Sequence, residues 1–226
     1  MWLSIGSLFR LMGMDCSFQL MIVGERSLFQ TTAEWLQKLV ELVELISLYP
    51  AVRLQVRAKG KHSFGQRQQA LELVGDHPQV ILNGSLDEAK QLSWMRVHVP
   101  EKQMIRADPK LSYGASVHSV KAALQAQTLG AQYLQFGAVF APFSKPGKGR
   151  GLAALQEICQ HSTVPVFAVG GIDLKQVASC RQAGAAGVAC ATTVMLAKEP
   201  QKVIQDLFLY TMNRRKLVAD TAKDKW

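Results

Sequence analysis

The chain alternates between two kinds of hydrophobic pattern. Short apolar runs rich in β-branched and aromatic residues fall at positions 18–23, 52–56, 79–82, 95–99, 112–116, 133–136, 165–169 and 187–191. Runs of this length and composition read as β-strands. Between them lie longer segments, of which 33–48 is the clearest. There Trp35, Leu36, Leu39, Val40, Val43, Leu45 and Ile46 fall on broadly one face of a helix, with Glu41 and Glu44 largely off it. Segments 66–74, 86–92, 120–129, 152–161, 174–183 and 200–216 supply further helices, and the connection at 104–110 has the weakest helical pattern. A helix between successive strands forces parallel pairing, since an antiparallel hairpin needs only a tight turn.

The runs at 165–169 and 187–191 are almost wholly apolar, as expected for a sheet covered on both faces. Strand-helix repeats at a spacing of roughly 25 residues predict a single (β/α)8 TIM barrel in the α/β class. An open doubly wound sheet fits less well, because no GxGxxG follows the first run. This reading divides the chain into an N-terminal arm at 1–16, the barrel at 17–216 and a basic C-terminal tail at 217–226.

Composition narrows the partners. With 226 residues, 48% apolar and 19% charged, the chain can fill one sizeable core and lies far from the disordered range. A formal net charge of +9 favours anionic partners without choosing among nucleic acid, anionic lipid and a phosphorylated metabolite. No apolar run reaches 18 residues, so no membrane span is expected. Cys16, Cys159, Cys180 and Cys190 show no CxxC spacing, which argues against zinc and against a disulfide framework and fits a cytoplasmic protein.

In a barrel of this kind the chemistry sits where the strands end. Gln55, Arg57 and Lys59 are alternate residues closing the second strand, two of them cationic, and Asn83-Gly84 closes the third. Gly170-Gly171 opens a helix after the seventh strand, so its backbone N–H groups can face an anion at the positive helix end, and Ala191-Thr192-Thr193 supplies a second donor set. A turn that merely needs glycine is the plainer alternative. His118, in Ser116-Val117-His118-Ser119, reads equally well as a proton carrier near neutral pH or as part of a helix cap. His98 lies inside the fourth strand and reads as a satisfied core residue, whereas His62, His77 and His161 fall at loops or helix ends. The glycine-rich basic stretch 143–151 is either a ligand lid or a solvated loop. It lacks aromatic residues interleaved among its charges, so nucleic acid is not an expected partner.

Several stretches carry a resemblance jointly: Gln55-Val56-Arg57-Ala58-Lys59, Ser116-Val117-His118, 130–140, Ser144-Lys145, 149–152, 164–172 and 183–189. In this order and spacing, residues 52–194 resemble the thiamine-phosphate synthase and thiazole tautomerase (TenI-type) superfamily of (β/α)8 barrels. The resemblance implies substrate contacts from Gln55, Arg57, Lys59, Asn83, Ser116, Ser144 and Lys145, and a phosphate held by the backbone at Gly170, Gly171, Ala191 and Thr192.

Departures from the superfamily separate its two activities. In the synthases an aspartate after strand three and another after strand four hold the magnesium that neutralises a pyrophosphate leaving group. Here the first position is Gly84 and the second aligns near Gln103; Asp87 falls on the following helix and Glu101 two residues before the expected ligand. Without hard oxygen ligands magnesium has little to hold it. The sequence therefore resembles the tautomerase branch, which moves a proton and a double bond in thiazole carboxylate phosphate with the histidine matching His118 as acid and base. That reading expects a phosphorylated thiazole as partner and no metal or cofactor, and it leaves a homo-oligomer open. Two alternatives stand beside it. One is the synthase, coupling hydroxymethylpyrimidine pyrophosphate to thiazole phosphate with magnesium; the other is a non-catalytic regulator that binds thiazole or thiamine phosphate.

Overall fold

Each apolar run becomes a strand because both of its faces find cover. The computed structural model describes residues 19–106, 108, 110–141 and 147–212. Strands β1 (Gln19–Glu25), β2 (Val52–Arg57), β3 (Val80–Asn83), β4 (Arg96–Val99), β5 (Ser112–Val117), β6 (Tyr133–Gly137), β7 (Val166–Val169) and β8 (Gly187–Cys190) pair in parallel in chain order. β8 closes on β1 from Gln19 opposite Gly187 to Ile22 opposite Cys190, which completes the expected (β/α)8 barrel.

Helices α1 (Thr32–Ile46), α2 (Ser63–Val74), α3 (Leu86–Gln91), α4 (Val120–Thr128), α5 (Gly151–His161), α6 (Leu174–Gln182), α7 (Thr192–Met195) and α8 (Pro200–Met212) follow the strands. Between β4 and β5 a 3-10 turn, Glu101–Gln103, stands in place of a helix, where the helical pattern is weakest. Leu20, Ile22, Leu54, Leu82, Val97, Leu134 and Val188 point outward into the core shared with the helices. The next residues along the strands, Met21, Val23, Ile81, Phe167 and Ala189, form a separate cluster inside the barrel.

Helix α1 shows how local signals and packing agree. Glu34 N–H donates to Thr31 Oγ1 at 3.2 Å and the Glu34 carboxylate accepts from Thr31 N–H at 3.1 Å, a reciprocal cap on the first turn. The buried face is Trp35, Leu36, Leu39, Leu42 and Ile46. This corrects the expected stripe: Val40, Val43 and Leu45 are only half-buried and Leu42 takes their place, because positions 35, 39, 42 and 46 keep the 3.6-residue period. Burying a leucine such as Leu39 is worth about 1.5–3 kcal/mol, and Trp35 adds an indole N–H donated to Gly24 O at 3.0 Å.

Polar side chains run through the barrel interior beneath its mouth. Gln55 and Gln135 are buried, and each turns its amide toward Met21 Sδ at 2.7 Å. His98 is fully buried, with Nε2 at 2.8 Å from Ser116 Oγ and Nδ1 at 3.2 Å from Tyr133 Oη. The Tyr133 ring fits because position 114 is glycine; a Cβ there would run into it. His98 is thus the satisfied interior residue expected from its place in β4. Burial, with Arg57 nearby, pushes its pKa down to about 3, so the ring is neutral at physiological pH.

The N-terminal arm 1–16, the tail 217–226 and the residues Ser144 and Lys145 lie outside the described residues. Among the described residues Cys159, Cys180 and Cys190 are free thiols, and no helix is long and apolar enough to cross a membrane.

Candidate functional site

The carboxyl ends of the strands open into a cavity of about 1120 Å³. Arg57, Lys59, Asn83, Ser116, His118, Gly170, Gly171, Ala191 and Thr192 all line it, so most of the residues singled out from sequence converge on one space. Gln55 does not line it. The alternation of β2 does point Gln55 into the barrel with Arg57, but one step deeper, about 6.6 Å down the strand. There Gln55 is fully buried and accepts from Asn83 Nδ2 at 2.9 Å. Gln55 therefore supports Asn83 from beneath the cavity.

The wall formed by β1 to β3 is built from paired charges. Arg57 meets the Glu25 carboxylate at the end of β1, and Arg67 of α2 meets Glu88 of α3 while also donating to Ala58 O. The Glu88 carboxylate additionally accepts from Ser85 N–H at 2.8 Å, closing the cap on α3. Burial, then the neighbouring Arg67, lowers the Arg57 pKa, although a guanidinium stays charged. Sequence reading missed Glu25 because it ended the first strand two residues early. The Ser85-x-x-Glu88 capping pattern was visible in the sequence, but its link to Arg67 spans a sequence separation of 21.

The wall formed by β7 and β8 is built from backbone. Gly170 and Gly171 have φ values of +96° and +64°, and a Cβ on Gly170 would come within 2.5 Å of Ala138 Cβ. Only glycine fits both the left-handed backbone and the contact. Thr193 Oγ1 donates to Ile172 O at 2.7 Å and so ties the β8 loop to the β7 loop. At the N-terminus of α6 the Asp173 carboxylate accepts from Lys175 N–H at 2.8 Å and so takes up part of that helix end. What remains for an anion on this wall is the backbone of Gly170-Gly171 and of Ala191-Thr192, both facing the cavity. Cys190 also lines it, but burial raises its pKa to about 12, which removes thiolate chemistry at neutral pH.

His118 stands at the rim between the two walls. The cap on α4 comes from Ser119, whose Oγ accepts from Ala122 N–H at 3.1 Å, so the imidazole is not spent on capping. Its Nδ1 lies 2.6 Å from Glu101 Oε2. This partner, on the 3-10 turn after β4, was read in sequence only as a misplaced metal ligand.

The donor set does not fit magnesium. Gly84 brings no ligand, and a Cβ there would run into the Glu88 carboxylate. Glu25, Glu88 and Glu101 already hold Arg57, Arg67 and His118, which leaves Asp87 as a single further carboxylate among the described residues that line the cavity. Among the described residues no group of three or more His, Cys, Asp or Glu side chains converges as a metal site.

A closed eight-stranded parallel barrel with a charged wall and a backbone wall at its mouth is a (β/α)8 TIM barrel, and comparison with known proteins specifies its family. Residues 22–194 match the family model described as thiamine monophosphate synthase, and the chain belongs to that family. It is 29% identical over 187 residues to the thiamine-phosphate synthase of Neisseria meningitidis, covering 77% of this chain and 88% of that protein. It is 33% identical over 134 residues to that of Synechococcus sp. (strain CC9311), there spanning 56% of this chain and only 38% of the relative. With the synthase of Roseiflexus sp. (strain RS-1) the identity is 36%, over 58% of the relative's length. The thiamine phosphate pyrophosphorylase from Pyrococcus furiosus superposes with a TM-score of 0.64 at 22% identity, over 86% of this chain and 96% of that one, which shows the shared fold.

Proposed function

We propose that this chain is an enzyme of thiamine biosynthesis that binds a phosphorylated thiazole in the barrel mouth and moves a proton on it through His118, without a metal ion. The observation that carries this reading is the engagement of three of the four acids that line the mouth among the described residues: Glu25, Glu88 and Glu101 hold Arg57, Arg67 and His118, Asp87 on α3 is a single further carboxylate, and position 84 has no side chain. A histidine held at the rim supports acid–base chemistry. The phosphate would sit on the backbone of Gly170, Gly171, Ala191 and Thr192, with Lys59 and the Glu25-held Arg57 orienting the substrate and Asn83 and Ser116 hydrogen-bonding it; Ser144 and Lys145 complete the expected substrate set.

The synthase is the second reading, and the comparisons support it better than they support an isomerase, because the curated relatives carry the name thiamine-phosphate synthase. One assay separates the two. Purified protein is given thiazole carboxylate phosphate with a chelator, and separately hydroxymethylpyrimidine pyrophosphate, thiazole phosphate and magnesium. Isomerisation in the first mixture and no coupled product in the second is the expected result. Magnesium-dependent coupling would establish the synthase, and binding without turnover in either mixture would leave a regulator.

A further inference from the structure

We infer that Glu101 is the positioning residue for His118, holding Nδ1–H and leaving Nε2 as the atom that meets the substrate. This rests on the proton-transfer reading of the site. The Nδ1 to Oε2 separation is 2.6 Å, and an ionised carboxylate offers only acceptors, so Nδ1 must carry the hydrogen of that bond. A neutral ring then has its lone pair on Nε2.

The placement of Glu101 does not depend on the histidine. Pro100 ends β4 and fixes the start of the 3-10 turn, Gln103 N–H donates to Pro100 O at 2.9 Å, and Met104 N–H donates to Glu101 O at 3.4 Å. His118 arrives from the adjacent strand β5, its neighbour Ser119 being committed to the α4 cap. Two independently built segments thus deliver one acceptor and one ring to the same rim, and both residues line the cavity. The other glutamates of the mouth, Glu25 and Glu88, are engaged with arginines, so neither competes for the ring. Side-chain exposures of 47% for His118 and 32% for Glu101 make the pair a poor source of stability. Its value lies in fixing the ring and in balancing the imidazolium that forms when Nε2 takes a proton.

The test is ¹⁵N NMR of the His118 ring in the full chain, with Glu101→Ala and Glu101→Gln beside the wild type, together with steady-state kinetics on thiazole carboxylate phosphate. The wild-type ring should be protonated at Nδ1 with Nε2 bare. Glu101→Ala should mix the tautomers and lower kcat by about 10- to 100-fold, the worth of one charge-assisted hydrogen bond, while leaving KM and the denaturation midpoint in place. Glu101→Gln keeps an acceptor and should retain part of both signals. A wild-type ring protonated at Nε2, or ring signals that Glu101→Ala leaves unmoved, would overturn the assignment. If those signals respond as expected but the wild type turns over no thiazole, the proposed function fails while the assignment stands.

Discussion

The two walls of the mouth solve the same problem with different materials. The β1 to β3 wall presents side-chain charges that are already matched, Glu25 to Arg57 and Glu88 to Arg67, whereas the β7 to β8 wall presents backbone shaped by Gly170-Gly171 and tied by Thr193 to Ile172. The contrast teaches that positive residues at a strand end do not equal positive charge available to a ligand. A wall of satisfied ion pairs orients and selects, and a rigid backbone wall can grip an anion without desolvating a side chain. His118 sits where the walls meet.

Replacing the residue at that junction should have the largest effect. His118→Gln removes acid–base function while keeping much of the side chain's volume, so kcat should fall by about 10²- to 10⁴-fold with phosphate-ligand affinity nearly unchanged. Steady-state kinetics with calorimetric binding reads both. Loss of binding and folding together would mean that His118 belongs to the frame of the mouth instead.

Breaking the charged wall comes next. Arg57→Gln leaves the Glu25 carboxylate, only 11% exposed, without its cation and should cost about 1–3 kcal/mol of stability. Adding Glu25→Gln should return part of that loss, and a double-mutant cycle by chemical denaturation measures the coupling. Additive losses would show that the pair is not a unit.

On the backbone wall, Gly170→Ala must place a Cβ against Ala138 at a φ of +96°, costing about 1–3 kcal/mol and weakening inorganic phosphate binding. A sulfate-soaked crystal of the wild type should show the ion on the Gly171 and Ala191-Thr192 backbone. An ion that avoids both loops while they are accessible would remove the backbone wall from the phosphate argument.

Near neutral pH the smallest effect lies beneath both walls. Burial holds the His98 pKa at about 3 in the fold, well below the ordinary 6.5, so as pH falls the unfolded chain takes up the proton first. Stability from neutral His98 is complete above its unfolded pKa and is lost as pH drops toward about 3, with a slope of at most about 1.4 kcal/mol per pH unit. Denaturation midpoints between those limits should vary less with pH in His98→Gln. An unchanged slope would mean that the ring is protonated in the fold.

Much of this architecture was legible because the strands are covered on both faces and leave near-continuous apolar runs, while the helices repeat at 3.6 residues. The glycine pair after β7 was legible for a related reason: tight turns between strand and helix have a narrow chemistry. Depth along a strand was not. Gln55 and Arg57 share a face, yet one step decides between a buried prop for Asn83 and a wall of the cavity. Pairings across elements were invisible as well. Nothing in the spacing of Glu101 and His118, or of Arg67 and Glu88, announces a contact that depends on how the loops pack around the rim.

Metal-free proton transfer at His118 is tested most directly by following solvent deuterium into thiazole carboxylate phosphate by NMR, with the purified protein in deuterated buffer containing a chelator. The account predicts that the isomerised product carries deuterium at the carbon that receives the proton, at a rate the chelator does not change and His118→Gln lowers by about 10²- to 10⁴-fold. No isomerisation under chelator, together with coupled product from hydroxymethylpyrimidine pyrophosphate once magnesium is restored, would contradict it.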